Sequence, residues 1–147
     1  MLASEMTKLI EKGMAALKEG NTLVAMMHFE DAVKLEDSPT VRSYLAFCLA
    51  KERRQMAKAI SLCLTAIQQE PTRALHHLNL GRIYLIAGQK TRAIQTFRRG
   101  LKLERNQQII NELKKLGLRH PPVFKTLNRD HPLNKCLGIL FHKMGMR

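Results

Sequence analysis

The sequence predicts an all-α protein: an α-solenoid of three helix pairs, closed by a capping helix and followed by a C-terminal arm. Three observations predict it. The chain matches itself at a constant step of 34 residues. Its apolar residues recur at three- and four-residue steps, the period of a helix with one buried face. Turn and strand formers are scarce: 8 Gly and 5 Pro in 147 residues, with no Trp and only two Tyr, are too few for a β-sandwich or barrel. The 45% hydrophobic content is too high for a disordered tail. A fixed period in this range marks a stack of supersecondary units.

The repeat is legible column by column. Ala25, Ala59 and Ala93 fall one step apart, as do Phe29, Cys63 and Phe97, then Ala32, Ala66 and Gly100. Met26, Ile60 and Ile94 follow, and so do Ile10, Tyr44 and Leu78. Gly13 and Gly81 match with Phe47 between them; Gly20 and Gly88 match with Arg54 between them. The units are 6–39, 40–73 and 74–107, and the whole repeat domain with its cap covers 1–117.

Each unit reads as two helices. In the third, Leu75, Leu78, Ile83, Leu85 and Ile86 mark the first helix, and Gly88 stops it by adopting a positive φ cheaply. Ala93, Ile94, Phe97, Leu101 and Leu103 mark the second. The small residues at Ala25 and Ala32, Ala59 and Ala66, Ala93 and Gly100 are seven apart, on one helix face, and let two axes approach. Phe29, Cys63 and Phe97 are the fillers between them. Pro39 and Pro71 mark unit junctions. Ile109, Ile110, Leu113 and Leu116 predict a capping helix over about 106–117. Pro121-Pro122 ends it, so 118–132 is expected to be extended. From Leu133 the pattern turns helical, with Leu133, Leu137, Leu140, Phe141 and Met144 on one face.

These columns resemble the tetratricopeptide repeat, whose pattern runs W-x2-L-G-x2-Y and then A-x3-F-x2-A-x4-P. The third unit carries it in Leu80, Gly81, Tyr84, Ala93, Phe97 and Gly100; the first in Gly13, Ala25, Phe29 and Ala32; the second in Ala59, Ala66 and Pro71. The departures are Leu9, Ser43 and His77 in the tryptophan slot, Phe47 in a glycine slot and Cys63 in an aromatic slot. The resemblance implies a right-handed solenoid whose first helices line a concave groove. It places Ile10, Met14 and Leu17, then Tyr44, Cys48 and Lys51, then Leu78, Arg82 and Leu85 on that groove. Some family members clamp a peptide's terminal carboxylate with Lys and Asn. The matching columns here hold Ile10, Met14, Leu45, Leu75 and Asn79, which disfavours such a clamp.

Charge is unevenly placed. The formal total is +13, yet 1–39 holds four basic and seven acidic residues, net −3. Residues 40–73 hold six and two, 74–107 seven and one, and 108–147 eight and two. This gradient favours an acidic partner across the later repeats, or end-to-end self-association. The basic residues Lys90, Arg92, Arg98, Arg99 and Lys102 fall on the second helix of the third unit, without stacking aromatics, so nucleic acid is not expected as a partner. The runner-up function is electrostatic binding of an anionic surface, nucleic acid or acidic membrane, through these later repeats.

No catalytic constellation, metal-ligand spacing or phosphate-binding glycine loop emerges, so neither enzymatic activity nor a cofactor is expected. His28, His76, His77, His120, His131 and His142 read as surface or half-buried imidazoles. Cys48, Cys63 and Cys136 are odd in number and lack C-x-x-C, which fits a reducing compartment. With no secretory leader pattern and no membrane-spanning run, a cytoplasmic address is expected. The expected function is protein–protein interaction: an apolar groove rimmed by Lys51, Arg73 and Arg82 accepting a peptide or helix with acidic flanks. Self-association is a further expectation, with Leu133, Leu137, Leu140 and Phe141 of the arm folding back or entering a neighbouring chain.

Overall fold

Local signals set where each helix begins and ends. The computed structural model describes residues 1–117. It contains α1 (Leu2–Lys18), α2 (Thr22–Leu35), α3 (Pro39–Arg53), α4 (Met56–Gln69), α5 (Ala74–Ile86), α6 (Lys90–Leu103) and α7 (Gln107–Lys115). Among the described residues there is no strand. Asn21 Oδ1 accepts from the Val24 amide at 3.3 Å, Ser38 Oγ from Val41 at 3.3 Å, and Asn106 Oδ1 from Ile109 at 3.0 Å. Each satisfies an amide that the first helical turn leaves open. Pro39, which has no amide hydrogen to satisfy, opens α3. The α5 start is capped from a distance: Glu104 Oε1 accepts from the Ala74 amide at 2.9 Å, across 30 residues of sequence.

The turns inside the three hairpins share one column. Gly20 and Gly88 adopt φ of +80° and +77°. Arg54 takes the same role with φ of 55°, in the left-handed region that a side chain disfavours.

Helices α1 and α2, α3 and α4, and α5 and α6 pack as hairpins, and α3 and α4 also carry α5. The seams are made by close approach. A Cβ on Gly13 would stand 2.6 Å from the Phe29 ring, and one on Gly81 2.3 Å from the Phe97 ring. The ring therefore packs directly against backbone, where only glycine leaves room. Ala25, Ala32, Ala59, Ala66 and Ala93 are fully buried beside these fillers.

The middle hairpin reverses the sizes. Phe47 occupies the glycine column and Cys63 the aromatic one. With a Cβ at 47, a phenylalanine ring at 63 would meet the collision that Gly13 and Gly81 avoid, so the facing residue is small. Cys63 is fully buried, with Ala46, Ala50, Ala59 and Ile83 in its cluster.

Residues Met1–Ile110 form one compact unit. In it Ile109 is fully buried, its Cδ1 2.7 Å from where a Gly100 Cβ would stand. The rest of α7 belongs to a second unit and holds a Lys115–Glu112 ion pair at 3.9 Å. The arm, with Leu133, Leu137, Leu140, Phe141 and Cys136, lies outside the described residues.

Candidate partner-binding face

The first helices α1, α3 and α5 carry the expected groove columns, and burial separates them. Met14 and Lys51 are exposed; Ile10, Leu17, Tyr44, Arg82 and Leu85 are half-buried. Cys48 and Leu78 are fully buried. Neither can touch a ligand, which corrects the sequence expectation for those two. The reason is the neighbours. Leu78 shares a column with Ile10, but α3 and α4 pack against α5, and Cys48 is enclosed in the cluster with Phe29 and Val41.

Tyr44 is largely a packing residue. Its ring stacks on Phe29 with centroids 5.1 Å apart and planes 5° from parallel. Burial pushes its hydroxyl pKa up, with Arg73 and Arg82 opposing. Burial likewise pushes the Cys48 and Cys63 thiols up to about 12. Such thiols stay protonated and are poor nucleophiles.

The structure adds a residue that the columns do not suggest. Phe47 is half-buried, and two cations lie over its ring: Lys51 Nζ at 5.9 Å and Arg82 Cζ at 5.7 Å from the centroid. α3 and α5 thus bring Lys51 and Arg82 together around an accessible aromatic. The signal in the sequence was the departure itself, a phenylalanine where its column elsewhere holds glycine. Arg73, the third expected rim cation, donates to Thr40 Oγ1 at 3.0 Å and lies 3.8 Å from Glu70.

Beneath this face lies a buried polar group. Asn79 Nδ2 donates to Ser43 Oγ at 3.0 Å, and Cys63 Sγ lies 3.9 Å from the Ser43 carbonyl oxygen. Asn79 is fully buried, so the only polar residue in the clamp columns presents nothing to a peptide. His76 Nε2 lies 2.7 Å from Glu70 Oε2. His76 is fully buried and His77 nearly so, which corrects the expectation of surface or half-buried imidazoles. Burial holds both below the ordinary histidine pKa; Glu70 opposes this at His76, and a hydrogen bond to the Arg73 backbone opposes it at His77.

The exposed face of α6 is different in kind. Arg92, Arg98, Arg99 and Lys102 are all exposed, and at 100° per residue they span about 120° of arc. Arg92 lies over the Tyr84 ring at 5.9 Å and donates to Gln89 Oε1 at 3.2 Å. Among the described residues, no three His, Cys, Asp or Glu side chains gather in a way that could hold a metal ion. No described helix is long and apolar enough to cross a membrane.

Stacked helical hairpins with half-buried apolar and cationic side chains on their first helices define a helical-repeat array. The tetratricopeptide repeat model matches residues 62–95, from α4 through α5 into α6. Three solved structures share the fold. The first tetratricopeptide domain of Spaghetti (RPAP3), bound to the HSP90 peptide SRMEEVD, is 22% identical with a TM-score of 0.58, covering 78% of this chain and 91% of that one. The second such domain of human RPAP3, in complex with the HSP70 peptide SGPTIEEVD, is 20% identical with a TM-score of 0.58, covering 81% and 100%. The Arabidopsis OM64 domain is 23% identical with a TM-score of 0.60, covering 79% and 97%. A search of curated proteins finds no sequence match. The family model thus covers one repeat length of the chain, and the described residues share the fold of these tetratricopeptide domains.

Proposed function

We propose that the protein is a non-catalytic interaction module, an adaptor or assembly scaffold, that holds an acidic, partly apolar peptide segment against its first helices. The observation that carries this reading is Phe47 between Lys51 and Arg82. An aromatic anchor supplies contact area, and flanking cations select acidic neighbours in the ligand. Ile10, Met14, Leu17 and Leu85 extend the apolar surface, and Tyr44 gives one accessible edge. The high thiol pKa values of Cys48 and Cys63 support a role without covalent cysteine chemistry.

The relatives bound to SRMEEVD and SGPTIEEVD support peptide binding as the use of this fold. The mode is not theirs: the clamp columns hold Ile10, Met14, Leu45 and Leu75, with Asn79 buried. The peptide SRMEEVD is therefore expected to bind no better than about 1 mM. The C-terminal segment 118–147 carries six basic residues against one acidic, which makes it a poor occupant for this cationic face. Any self-association through Leu133, Leu137, Leu140 and Phe141 uses another surface.

A random peptide library selected on the full chain tests the reading. Enriched peptides should combine apolar and acidic residues. Phe47→Ala and Arg82→Glu should each weaken them at least tenfold, as about 1.4 kcal/mol of lost contact requires, with helicity kept. Selected peptides that bind both variants as well as wild type would place the site elsewhere.

A further inference from the structure

We propose that the exposed face of α6 binds the phosphate backbone of double-stranded nucleic acid. This stands apart from the peptide reading and uses different residues. Arg98, Arg99, Lys102 and, just past the helix, Arg105 are exposed, and their side chains make no hydrogen bond or ion pair within the described residues. Some cations of the first two repeats are paired, Lys34 with Asp31 at 3.0 Å, Arg42 with Asp37 at 2.8 Å and Arg53 with Glu30 at 3.3 Å, whereas these four gather on one face without a carboxylate partner. The third unit has one carboxylate, Glu104, and it is spent capping α5. The mutual repulsion of these four cations is left uncompensated, and a polyanion would relieve it.

The composition of the face selects among polyanions. A protein interface wants an apolar core with aromatic anchors. Here the positions between the cations are Thr91 and Gln95, and Leu103 at the edge is the one exposed large hydrophobic of α6. An acidic membrane surface would want apolar side chains to insert. A single strand would want stacking aromatics, and Phe97 is fully buried while Tyr84 lies half-buried under Arg92. A duplex backbone needs none of these. It needs guanidinium and ammonium groups free to meet phosphates, with no base readout. The absent aromatics that argued against nucleic acid at the level of sequence argue against single strands only.

The test uses the full chain and a labelled mixed-sequence DNA duplex of about 20 base pairs, followed by fluorescence anisotropy between about 50 and about 200 mM salt. Four phosphate contacts give a log–log salt slope of about −3.5. Arg98→Gln with Arg99→Gln should reduce the slope by about 2 and weaken binding at least tenfold. The control pair, Ser61→Glu with Gln68→Glu, makes the same change in net charge on the exposed face of α4 and should weaken binding less than about threefold. Equal loss in both pairs would mean that bulk charge alone attracts the duplex and would overturn the assignment. So would an unchanged slope in the arginine pair, which would move the contact to other basic residues. A preference for the matching single strand, or binding to phosphatidylglycerol vesicles without binding to duplex, would also overturn it.

Discussion

The first and third hairpins share a seam and a glycine turn and differ on the outer face of their second helices. Inside, Gly13 faces Phe29 as Gly81 faces Phe97, with fully buried alanines alongside. Outside, the columns of Leu23, Val24, Met27, Glu30 and Asp31 in α2 become Thr91, Arg92, Gln95, Arg98 and Arg99 in α6. An exposed apolar and acidic surface at one position is a basic polar surface two repeats later. The seam is fixed because two backbones and one ring must share a space smaller than a Cβ allows. The outer columns make only surface contacts, such as Glu30 with Arg53 and Arg92 over Tyr84, so they are free to diverge, and partner choice can be written there without disturbing the fold.

Four experiments test that contrast. The largest effect is expected at the seam: Phe97→Ala and Phe29→Ala should each cost about 3–5 kcal/mol by urea denaturation. Values differing by more than about 2 kcal/mol would mean that the two seams are not equivalent. Next comes the middle hairpin. Cys63→Phe alone should cost about 1–3 kcal/mol from overpacking. Adding Phe47→Gly should restore the seam of its neighbours, seen as a favourable coupling above about 1 kcal/mol in the double-mutant cycle. Additive losses would refute the size exchange as its explanation.

The third effect depends on pH. His76 and His77 are held below their unfolded value of 6.5, so the folded state resists protons that the unfolded state accepts. Their contribution is complete above pH 6.5 and is lost as pH falls from there through their lower folded values. The melting temperature should drop on acidification, and His77→Leu should flatten the drop. The first hairpin has Lys8 and Leu9 at these columns, so amide exchange in acid should rise more in α5 and α6 than in α1 and α2. The smallest effect is expected outside. Giving α2 the third-repeat residues, Leu23→Thr with Met27→Gln, should leave stability within about 0.5 kcal/mol per site.

The hairpins, their seams and their glycine turns were readable because a 34-residue period samples each column three times. Exposure was less readable, because period fixes which way a side chain points but not what stands in front of it. Ile10, Tyr44 and Leu78 share a column, yet only Leu78 is fully buried, covered by the packing of α3 and α4 on α5. The same holds for Met14 and Cys48. The Glu104 cap on Ala74 was invisible for another reason: capping signals are local, and this one spans 30 residues. Phe47 was visible only as a flaw in the pattern, and its partners Lys51 and Arg82 became evident once α3 and α5 were side by side.

The Arg54 turn holds a consequence for evolution of the chain. Gly20 and Gly88 accept their left-handed backbone without penalty, while Arg54 sustains it at about 1 kcal/mol. One substitution, Arg54→Gly, would release that amount. A lineage or a designer therefore has headroom at this single codon, enough to absorb a typical damaging mutation on either interaction surface before the array fails to fold.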